Sequence, residues 1–232
     1  MIGDMTDYSY TIVRRPKRRT VSINISIEND VRVLAPPNVP EQDIADIVLE
    51  KEDWIFRVIE KNDKHRPQPK QFVNGEIFYF LGSPYPLKIE KGDVDQVLFQ
   101  AQSLTIIYTS ESFPHKNSIR KTLINWYKER AKEIVLDRVE IHANTMGLSY
   151  NTVRIKTLKS RWGSCSTLKN LNFNWALMMT PMLVLDYIVV HELAHLIHMN
   201  HSKAFWGKVA EYCPNYKIQK KWLRDHHQLL RV

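Results

Sequence analysis

Residues 191–195 read His-Glu-Leu-Ala-His, and this short stretch constrains the chain more than any other feature of its sequence. In a helix, residues four positions apart lie on one face with Cβ atoms about 5–6 Å from each other, so His191 and His195 can bind one metal ion together. Glu192 is turned roughly 100° around the helix from His191, and its carboxylate can reach a water on that ion. The motif therefore predicts two metal ligands and one general base.

A third ligand is expected, because hydrolytic zinc sites usually use three protein side chains. His198 would lie about 10 Å along the helix axis from His191, at roughly 1.5 Å per residue, which is too far for one ion. His201 is the better candidate, because Asn200 tolerates the left-handed conformation that ends helices and lets the chain turn back. Glu211, on the next predicted helix, is the second candidate.

The motif lies in an apolar segment, which argues against a pair of merely solvated or packed histidines. Its apolar neighbours are Tyr187, Ile188, Val189, Val190, Leu193, Ala194, Leu196 and Ile197. Burying two imidazoles and a carboxylate there without partners would cost several kcal/mol, and a metal ion would remove that cost. We therefore predict one Zn²⁺ per chain.

The length and composition indicate a folded protein with one large or two small domains. The chain has 232 residues, of which 44% are hydrophobic, enough for a substantial core. No run approaches the roughly 18–20 apolar residues of a membrane span, and the first residues are acidic without an apolar run, so we expect a cytoplasmic protein with no membrane association. Cys165 and Cys213 are the only cysteines, so no disulfide framework is indicated.

The net charge of +8 favours anionic partners, such as nucleotides or nucleic acids. Many cytoplasmic proteins are equally basic without such a partner, so this indication is weak. The basic run at residues 14–19, Arg-Arg-Pro-Lys-Arg-Arg, is either an anion-binding arm or a solvated hairpin loop, and we favour the loop.

The N-terminal part of the chain predicts strands followed by one helix. Apolar and polar residues alternate from Thr20 to Ile27, which is typical of a half-buried strand. From Pro40 to about Lys61 the apolar residues recur at helical spacing, which predicts an amphipathic helix laid on the sheet. Residues 62–71 are polar with two prolines and indicate a linker, so we place a first domain at residues 1–71.

Two further regions follow. Residues 72–116 alternate strand patterns with turn signals and predict a β-rich accessory region. Residues 117–232 begin with a long helix, continue through a strand predicted from Leu171 to Met178, and reach the metal helix, which opens at Thr180-Pro181. We assign this third region as the metal-binding catalytic domain.

Three groups of residues in the C-terminal half resemble a known family. They are Ser160-Arg161-Trp162-Gly163-Ser164-Cys165-Ser166, Val190-His191-Glu192-Leu193-Ala194-His195, and Met199-Asn200-His201-Ser202 with Phe205-Trp206. In this order and spacing they resemble the YgjP-like predicted metal-dependent hydrolases, which are related to SprT-like and WLM zinc peptidases. The likeness extends over about residues 117–232, and Arg18-Arg19-Thr20 and Trp54-Ile55 extend it to most of the chain.

The resemblance implies an α+β fold with a zincin-like domain, in which a small sheet packs on the active-site helix and on a helix behind it. An N-terminal β-rich region would precede this domain. It also implies that His191, His195 and His201 bind the zinc, and that Glu192 takes a proton from a water that attacks a peptide carbonyl. The expected enzyme is a zinc-dependent hydrolase, in particular a metallopeptidase with a peptide or protein substrate.

Further residues are candidates for substrate binding. In the related peptidases an extended substrate pairs with the strand before the metal helix, which here is the strand predicted from Leu171 to Met178. Asn172 and Asn174 on one face of that strand would then contact substrate, and solvent-facing asparagines are the alternative. Arg161 is either a donor to a developing oxyanion or a substrate carboxylate, or a residue that braces its loop.

Two other functions stay open. The net charge and an activated water would also suit a metal-dependent nucleoside triphosphate pyrophosphohydrolase, although no glycine loop for binding phosphate is visible. The other is a protein that binds nucleic acid or another partner and contains structural zinc, enclosed by four ligands that could include Cys165. For Cys165 we expect a small packed residue instead.

Overall fold

The computed structural model describes residues 2–3, 8–26, 29–64, 70–100, 103–109, 114–158, 161–226 and 230. The chain divides into two compact units, Met1–Gln68 and Pro69–Val232. Each unit has its own cluster of buried hydrophobic residues. Both combine helices with a sheet, so the predicted α+β fold class is confirmed.

The first unit is a small sheet followed by two helices. Its elements are β1 (Ile2–Gly3), β2 (Tyr10–Arg14), β3 (Ser22–Ile25), β4 (Val31–Ala35), α1 (Glu41–Glu50) and α2 (Glu52–Lys64). The sheet order is β1-β2-β4-β3, with β2 and β4 parallel. The core of this unit lies between β4 and the two helices, and its fully buried side chains include Val33, Ala35, Ile44 and Ile55.

The single helix predicted up to about Lys61 is two helices in the structure, separated at Lys51. Helix α2 also continues to Lys64, into the segment predicted as a linker. The Asn62 side chain explains the longer helix, because it donates hydrogen bonds to the Ser26 carbonyl and to Asn29 Oδ1, both at 3.0 Å. These contacts with the turn after β3 stabilise the last turn of α2. Residues 65–69 of the predicted linker lie outside the described residues.

Two arginines of the basic run at residues 14–19 bind their own unit. Arg14 donates to the carbonyl groups of Pro36 and Val39. Arg18 donates to the Thr20 carbonyl at 2.8 Å and to Ser22 Oγ. These contacts stabilise the loop between β2 and β3, which agrees with the interpretation of the run as a loop. The prediction of a hairpin is wrong, because β4 lies between β2 and β3 in the sheet.

The second unit contains two sheets and four α-helices among its described residues. The first sheet consists of β5 (Ile77–Phe80), β6 (Ser83–Lys91), β7 (Gln96–Gln100) and β8 (Ser103–Tyr108), in the order β5-β6-β8-β7. The second consists of β9 (Thr152–Lys156), β10 (Gly163–Cys165) and β11 (Asn170–Asn174). The helices are α3 (Lys116–Met146), a 3₁₀ helix (Trp175–Met179), α4 (Met182–Ala194), α5 (Lys203–Tyr212) and α6 (Tyr216–His226).

Helix α3 lies behind α4 and packs through one buried face. Its buried residues are Ile119, Leu123, Tyr127, Ala131, Val135, Val139, Ala143 and Met146. Residues three or four apart share a helix face, so these side chains form a continuous stripe. Arg138 of α3 donates to both carboxylate oxygens of Asp186 in α4, at 2.6 and 2.9 Å, and His142 Nε2 lies 3.2 Å from Asp186 Oδ1. The helix expected behind the metal helix is therefore present and ion-paired to it.

The small sheet has the order β10-β11-β9, so β11 is its central strand. Strand β11 pairs with β10 in the antiparallel sense and with β9 in the parallel sense. The prediction that a substrate adds to the edge of this strand is therefore wrong, because both edges are already hydrogen-bonded. Within the described part of the chain, the open edges of this sheet belong to its two outer strands, β10 and β9.

Strand β11 ends at Asn174, four residues before the predicted end at Met178. The Asn174 side chain accepts a hydrogen bond from the Ala176 amide at 3.2 Å and so caps the 3₁₀ helix. All five residues of that helix are buried. The alternating residues after Asn174, which suggested a longer strand, therefore belong to a buried 3₁₀ helix. The Asn174 side chain caps this helix and so ends the strand there.

The β5–β6 hairpin supports the start of α4. Its turn residues Leu81 and Gly82 have φ values of 48° and 83°, and the Leu81 amide donates to the Met178 carbonyl at 2.7 Å. A Cβ atom on Gly82 would lie 2.8 Å from Pro181, which immediately precedes α4. Strands from the region predicted as accessory thus belong to the same compact unit as α4. The division of the chain into three domains stays a prediction.

Among the described residues, no helix has both the length and the apolar character needed to cross a membrane.

Candidate metal centre

The last turn of α4 presents the His-Glu-Leu-Ala-His motif. This helix is buried on nearly all sides, and its buried residues are Val184, Leu185, Tyr187, Ile188, Val189, Val190, Glu192, Leu193 and Ala194. His191 and Glu192 belong to the helix and His195 is its C-cap residue. The motif is therefore helical up to its last residue, and the two histidine rings have centroids 4.9 Å apart.

A turn after α4 brings His201 back to the motif. Ser202 follows it and caps α5, since the Ser202 side chain accepts a hydrogen bond from the Phe205 amide. With α5 started at this point, His201 Nε2 lies 3.1 Å from His191 Nε2, and the His201 ring centroid lies 4.8 Å from that of His195. The structure thus brings together the three histidines predicted from sequence.

The tautomer of His195 follows from one hydrogen bond. Its Nδ1 atom lies 3.0 Å from the backbone carbonyl oxygen of His198. A carbonyl oxygen only accepts hydrogen bonds, so Nδ1 carries the proton and Nε2 keeps its lone pair. His198 thus contributes through its backbone, by orienting a neighbouring imidazole. A carbonyl that holds the second ring nitrogen in this way is the usual support of a metal-bound histidine.

The three histidines together can hold a metal ion. Their ligand atoms all lie within 4.8 Å of one another. Two nitrogen atoms bound to one tetrahedral Zn²⁺ are about 3.3 Å apart, because each Zn–N bond is about 2.0–2.1 Å long. Within the described residues, no additional histidine, cysteine, aspartate or glutamate joins this group. Three protein ligands are typical of catalytic zinc, in which a water takes the fourth position.

Glu211, the second candidate for the third ligand, does not join the histidines. Its carboxylate is paired with Lys208 Nζ at 2.8 Å within α5 and is about half exposed. The hydrogen bond and the charge of Lys208 lower the pKa of this carboxyl. It is therefore a solvated member of a surface ion pair, and His201 takes the position next to His191.

Glu192 is buried beside the ligands, against the backbone of β10. Its side chain is 4% exposed, and a Cβ atom on Gly163 would lie 2.6 Å from both its Cγ and its Oε1. Burial raises the pKa of Glu192 to about 8, opposed by the charge of Arg161. Its Oε2 atom has no hydrogen-bond partner among the described residues. A buried carboxylate oxygen without a partner costs free energy, and a bound water near a cation is the kind of partner that would remove this cost.

The imidazole of His191 is held in the form that binds metals. Burial, together with the nearby charges of His195, His201 and Lys220, lowers its pKa to about 3. His191 is therefore neutral near pH 7, with a lone pair available. Its buried Nδ1 atom finds no partner within the described part of the chain.

Two aromatic residues of α5 form the wall behind the histidines. The Phe205 ring centroid lies 4.9, 4.5 and 4.8 Å from those of His191, His195 and His201. The Trp206 ring lies 5.7 Å from His201 and nearly parallel to it. This packing limits the rotation of the imidazoles, because each ring has an aromatic neighbour at contact distance.

The remaining predicted residues have different surroundings. Arg161 is exposed and its charge acts on Glu192, while its carbonyl accepts a hydrogen bond from Asn174 Nδ2 at 3.3 Å. Asn174 is buried and also donates to the Leu158 carbonyl at 2.8 Å, so it braces the loop before β10. Asn172 donates to Ser164 Oγ at 3.1 Å. Neither asparagine side chain is free of intramolecular hydrogen bonds.

Cys165 is a half-buried free thiol near the site and lies outside the group of ligands. Burial and the nearby Glu192 charge raise the pKa of this thiol to about 11. A neutral thiol is a poor metal ligand, because zinc binds the thiolate. This agrees with the expectation of a small packed residue. Ser160 and His227 lie outside the described residues.

Sequence reasoning missed three contributors to the site. They are the Gly163 backbone against Glu192, the His198 carbonyl, and the aromatic wall of Phe205 and Trp206. The glycine within Trp-Gly-Ser was a usable signal, because a glycine often marks a close approach to backbone. The role of the His198 carbonyl could not be recognised from the sequence, because every residue has a backbone carbonyl.

The chain is similar to known metallopeptidases. A family model described as YgjP-like, metallopeptidase domain, matches residues 19–226. No curated protein matches the chain. Among solved structures, the chain is similar to the metallopeptidase zymogen abylysin of Pyrococcus abyssi, with 28% identity over 38% of this chain and 93% of that chain, at a TM-score of 0.33. It is also similar to the metallopeptidase zymogen jannalysin of Methanocaldococcus jannaschii, with 21% identity over 38% and 94% of the two chains, at a TM-score of 0.33.

Proposed function

Because the chain belongs to the YgjP-like metallopeptidase family and is therefore a metallohydrolase, we propose that it is a zinc-dependent peptidase. His191, His195 and His201 hold the ion, and Glu192 is the general base. The observation that carries this proposal is a buried carboxyl group on the residue after His191, without a hydrogen-bond partner on Oε2 among the described residues, next in the chain to a group of three histidines whose ligand atoms lie within 4.8 Å of one another.

The roles of the chain's own residues follow from their positions. A zinc ion held by three histidines lowers the pKa of a bound water to about 7 and polarises a carbonyl group. Glu192 accepts the proton of the attacking water on its carboxylate and then donates it to the leaving amine. The His198 carbonyl keeps Nε2 of His195 unprotonated, and Phe205 keeps the three imidazoles from rotating.

Strand β10 is the element that we propose to bind the substrate backbone. It is one of the two edge strands of its sheet within the described residues, and it is the one in which Gly163 lies against the Glu192 carboxyl. A peptide that adds to this edge by main-chain hydrogen bonds would place one of its peptide bonds close to the general base. Arg161, two residues before Gly163 and exposed, is the proposed donor to the oxyanion that forms on the substrate.

The first test measures metal content and proteolysis on the same preparations. We expect about one zinc per wild-type chain and cleavage of an unfolded protein substrate. The Glu192→Gln variant should keep its zinc and lose at least about 100-fold in kcat/KM, because general-base catalysis contributes about 10²–10⁴-fold. Cleavage by Glu192→Gln at the wild-type rate would show that Glu192 is not the base.

A nucleoside triphosphate pyrophosphohydrolase is the second candidate function, and one observation favours it. Lysine side chains of α6 lie close to Trp206, which adjoins the histidines. This candidate predicts release of pyrophosphate from a nucleoside triphosphate by the zinc-loaded chain, with no cleavage of peptides. A structural zinc is disfavoured, since no fourth protein ligand joins the histidines among the described residues.

A further inference from the structure

A positively charged cleft lies beside the candidate metal centre. It has a volume of about 510 Å³ and is lined by Trp206, Tyr216, Lys217, Lys220, Lys221 and Arg224. The Trp206 ring forms part of both sites, because its centroid is 5.7 Å from the ring centroids of His191 and of His201. A group bound in the cleft is therefore next to whatever is bound at the histidines.

The cations of the cleft come from one face of α6. Lys217, Lys220, Lys221 and Arg224 have the i, i+3, i+4, i+7 spacing of a single helix face. Like charges at these spacings repel each other and destabilise a helix. Arg224 contacts Asp225 at 3.0 Å, but no ion pair to the three lysines occurs among the described residues. The charge of the three lysines is therefore not paired with an acidic side chain among the described residues, and an anionic ligand would compensate it.

The aromatic residues of the cleft already have stacking partners. The Trp206 and Tyr216 rings are stacked with centroids 5.2 Å apart and planes at 17°. Tyr216 also stacks with Tyr187, and Lys220 Nζ lies 4.4 Å from the centroid of the Trp206 ring. Binding of nucleic-acid bases requires free aromatic faces on which to stack. The lysines alone would suit a triphosphate as well as a carboxylate, but the cleft has no free aromatic face for a base, and this favours a carboxylate ligand over a nucleotide.

We propose that this cleft binds carboxylate groups of the peptide substrate, so that the enzyme prefers peptides with acidic residues near the cleaved bond. The inference rests on the proposed peptidase function for its substrate class. Lysine ammonium groups bind carboxylates as point charges and do not require one fixed geometry. The carboxylate comes either from an acidic side chain or from the C-terminus of the peptide. The test distinguishes these two sources.

The kinetic test uses peptides that differ only in charge. Two internally quenched peptides carry either glutamate or glutamine on both sides of the cleaved bond, and each is made with a free and with an amidated C-terminus. For the zinc-loaded full chain we expect kcat/KM to be about tenfold higher for the glutamate peptide. A glutamate preference of the same size with free and with amidated C-termini assigns the cleft to acidic side chains. Equal values for the glutamate and glutamine peptides, with both falling about tenfold on amidation, assign it to the terminal carboxylate.

Two double variants test whether the lysines of the cleft cause the preference for the glutamate peptide. In the Lys217→Gln/Lys221→Gln variant, the kcat/KM for the glutamate peptide divided by that for the glutamine peptide should fall towards one. Lys220 is left in place, because it lies on Trp206 next to the histidines. The control Lys121→Gln/Lys132→Gln removes the same charge from exposed positions of α3 and should keep the wild-type ratio.

A binding measurement separates this inference from the peptidase function. Fluorescence anisotropy with the zinc-loaded Glu192→Gln chain should show about tenfold tighter binding of the glutamate peptide, weakened by salt and by the substitutions in α6. If this difference holds while the wild-type chain cleaves no peptide, the peptidase function fails and the carboxylate site stands. Equal binding of all four peptides, or equal loss in both double variants, overturns the site. Tighter binding of a nucleoside triphosphate or of a single-stranded oligonucleotide overturns it too.

Discussion

Gly163 leaves the space that the Glu192 carboxyl occupies, because a Cβ atom at residue 163 would lie 2.6 Å from Glu192 Cγ and Oε1. The edge strand β10 and the proposed general base are therefore in direct contact. Any side chain at this position has to move either the strand or the carboxylate.

Gly163→Ala should retain zinc and lose activity. The added methyl displaces the Glu192 carboxylate, and a displacement of about 1 Å can cost on the order of 100-fold in rate. We expect a fall in kcat/KM of at least about tenfold with one zinc per chain, measured on the same preparation. Gly207→Ala on α5 is the matched control, since a Cβ there meets nothing within 4 Å. Equal activity of the two variants would contradict the contact.

His201→Ala should weaken zinc binding by more than about 100-fold. Loss of a residue that merely supports a ligand costs about 10–100-fold in metal affinity, and loss of a ligand itself costs more. The measurement is a competition titration with a zinc chelator. His226→Ala is the control, because the His226 ring stacks on Trp222 with a centroid distance of 4.4 Å and lies outside the group of ligands. Unchanged zinc affinity in His201→Ala would leave the site with two protein ligands.

Gly82→Ala should destabilise the second unit. Its φ of 83° disfavours any side chain, and a Cβ atom would lie 2.8 Å from Pro181 at the start of α4. We expect the free energy of unfolding to fall by about 2–4 kcal/mol, from a left-handed residue together with overpacking. Gly75→Ala separates the two causes, because Gly75 has a similar φ of 84° but no atom within 4 Å of its Cβ. It should cost only about 1–2 kcal/mol in urea unfolding.

Asp186→Asn should make stability less dependent on acid pH. Burial alone would raise the Asp186 pKa, but hydrogen bonds and charges from His142 and Arg138 outweigh it and lower the pKa below 3.8. The carboxylate therefore stabilises the folded chain fully above pH 3.8, and this contribution is lost as pH falls through the lower folded value. At pH 7 the substitution should cost about 1–3 kcal/mol, because it removes charged hydrogen bonds to Arg138.

The comparison of wild type with Asp186→Asn is made by urea unfolding at several pH values. The difference in unfolding free energy should be constant near neutral pH and should shrink below pH 3.8. A difference that stays the same down to pH 2 would mean that Asp186 has no lowered pKa in the folded chain.

The local part of the site was predictable from sequence because a helix repeats every 3.6 residues. The spacing of His191, Glu192 and His195 placed them within one turn, and the structure has them at the end of α4 as predicted. The long helix behind α4 was also predicted from the sequence, because its apolar residues recur at helical spacing. His201 required only a short turn, because few residues separate it from the motif.

Contacts between distant parts of the chain decided the rest. The apolar pattern of residues 171–178 predicted a strand but contained no information on which strands pair with it, so its central position in the sheet was missed. Its early end depended on the Asn174 side chain, which caps the 3₁₀ helix and also binds the loop before β10.

The sequence by itself determined the chemistry of the centre, since the ligands and the base are close together in the chain and helical geometry is local. Only the tertiary structure decided the surroundings of that centre. The open edge at β10, the contact of Gly163 with Glu192 and the cleft between Trp206 and α6 all join residues from different elements. Strand pairing and helix packing arise from the folding of the whole unit, and a local pattern of residues does not specify which surfaces meet.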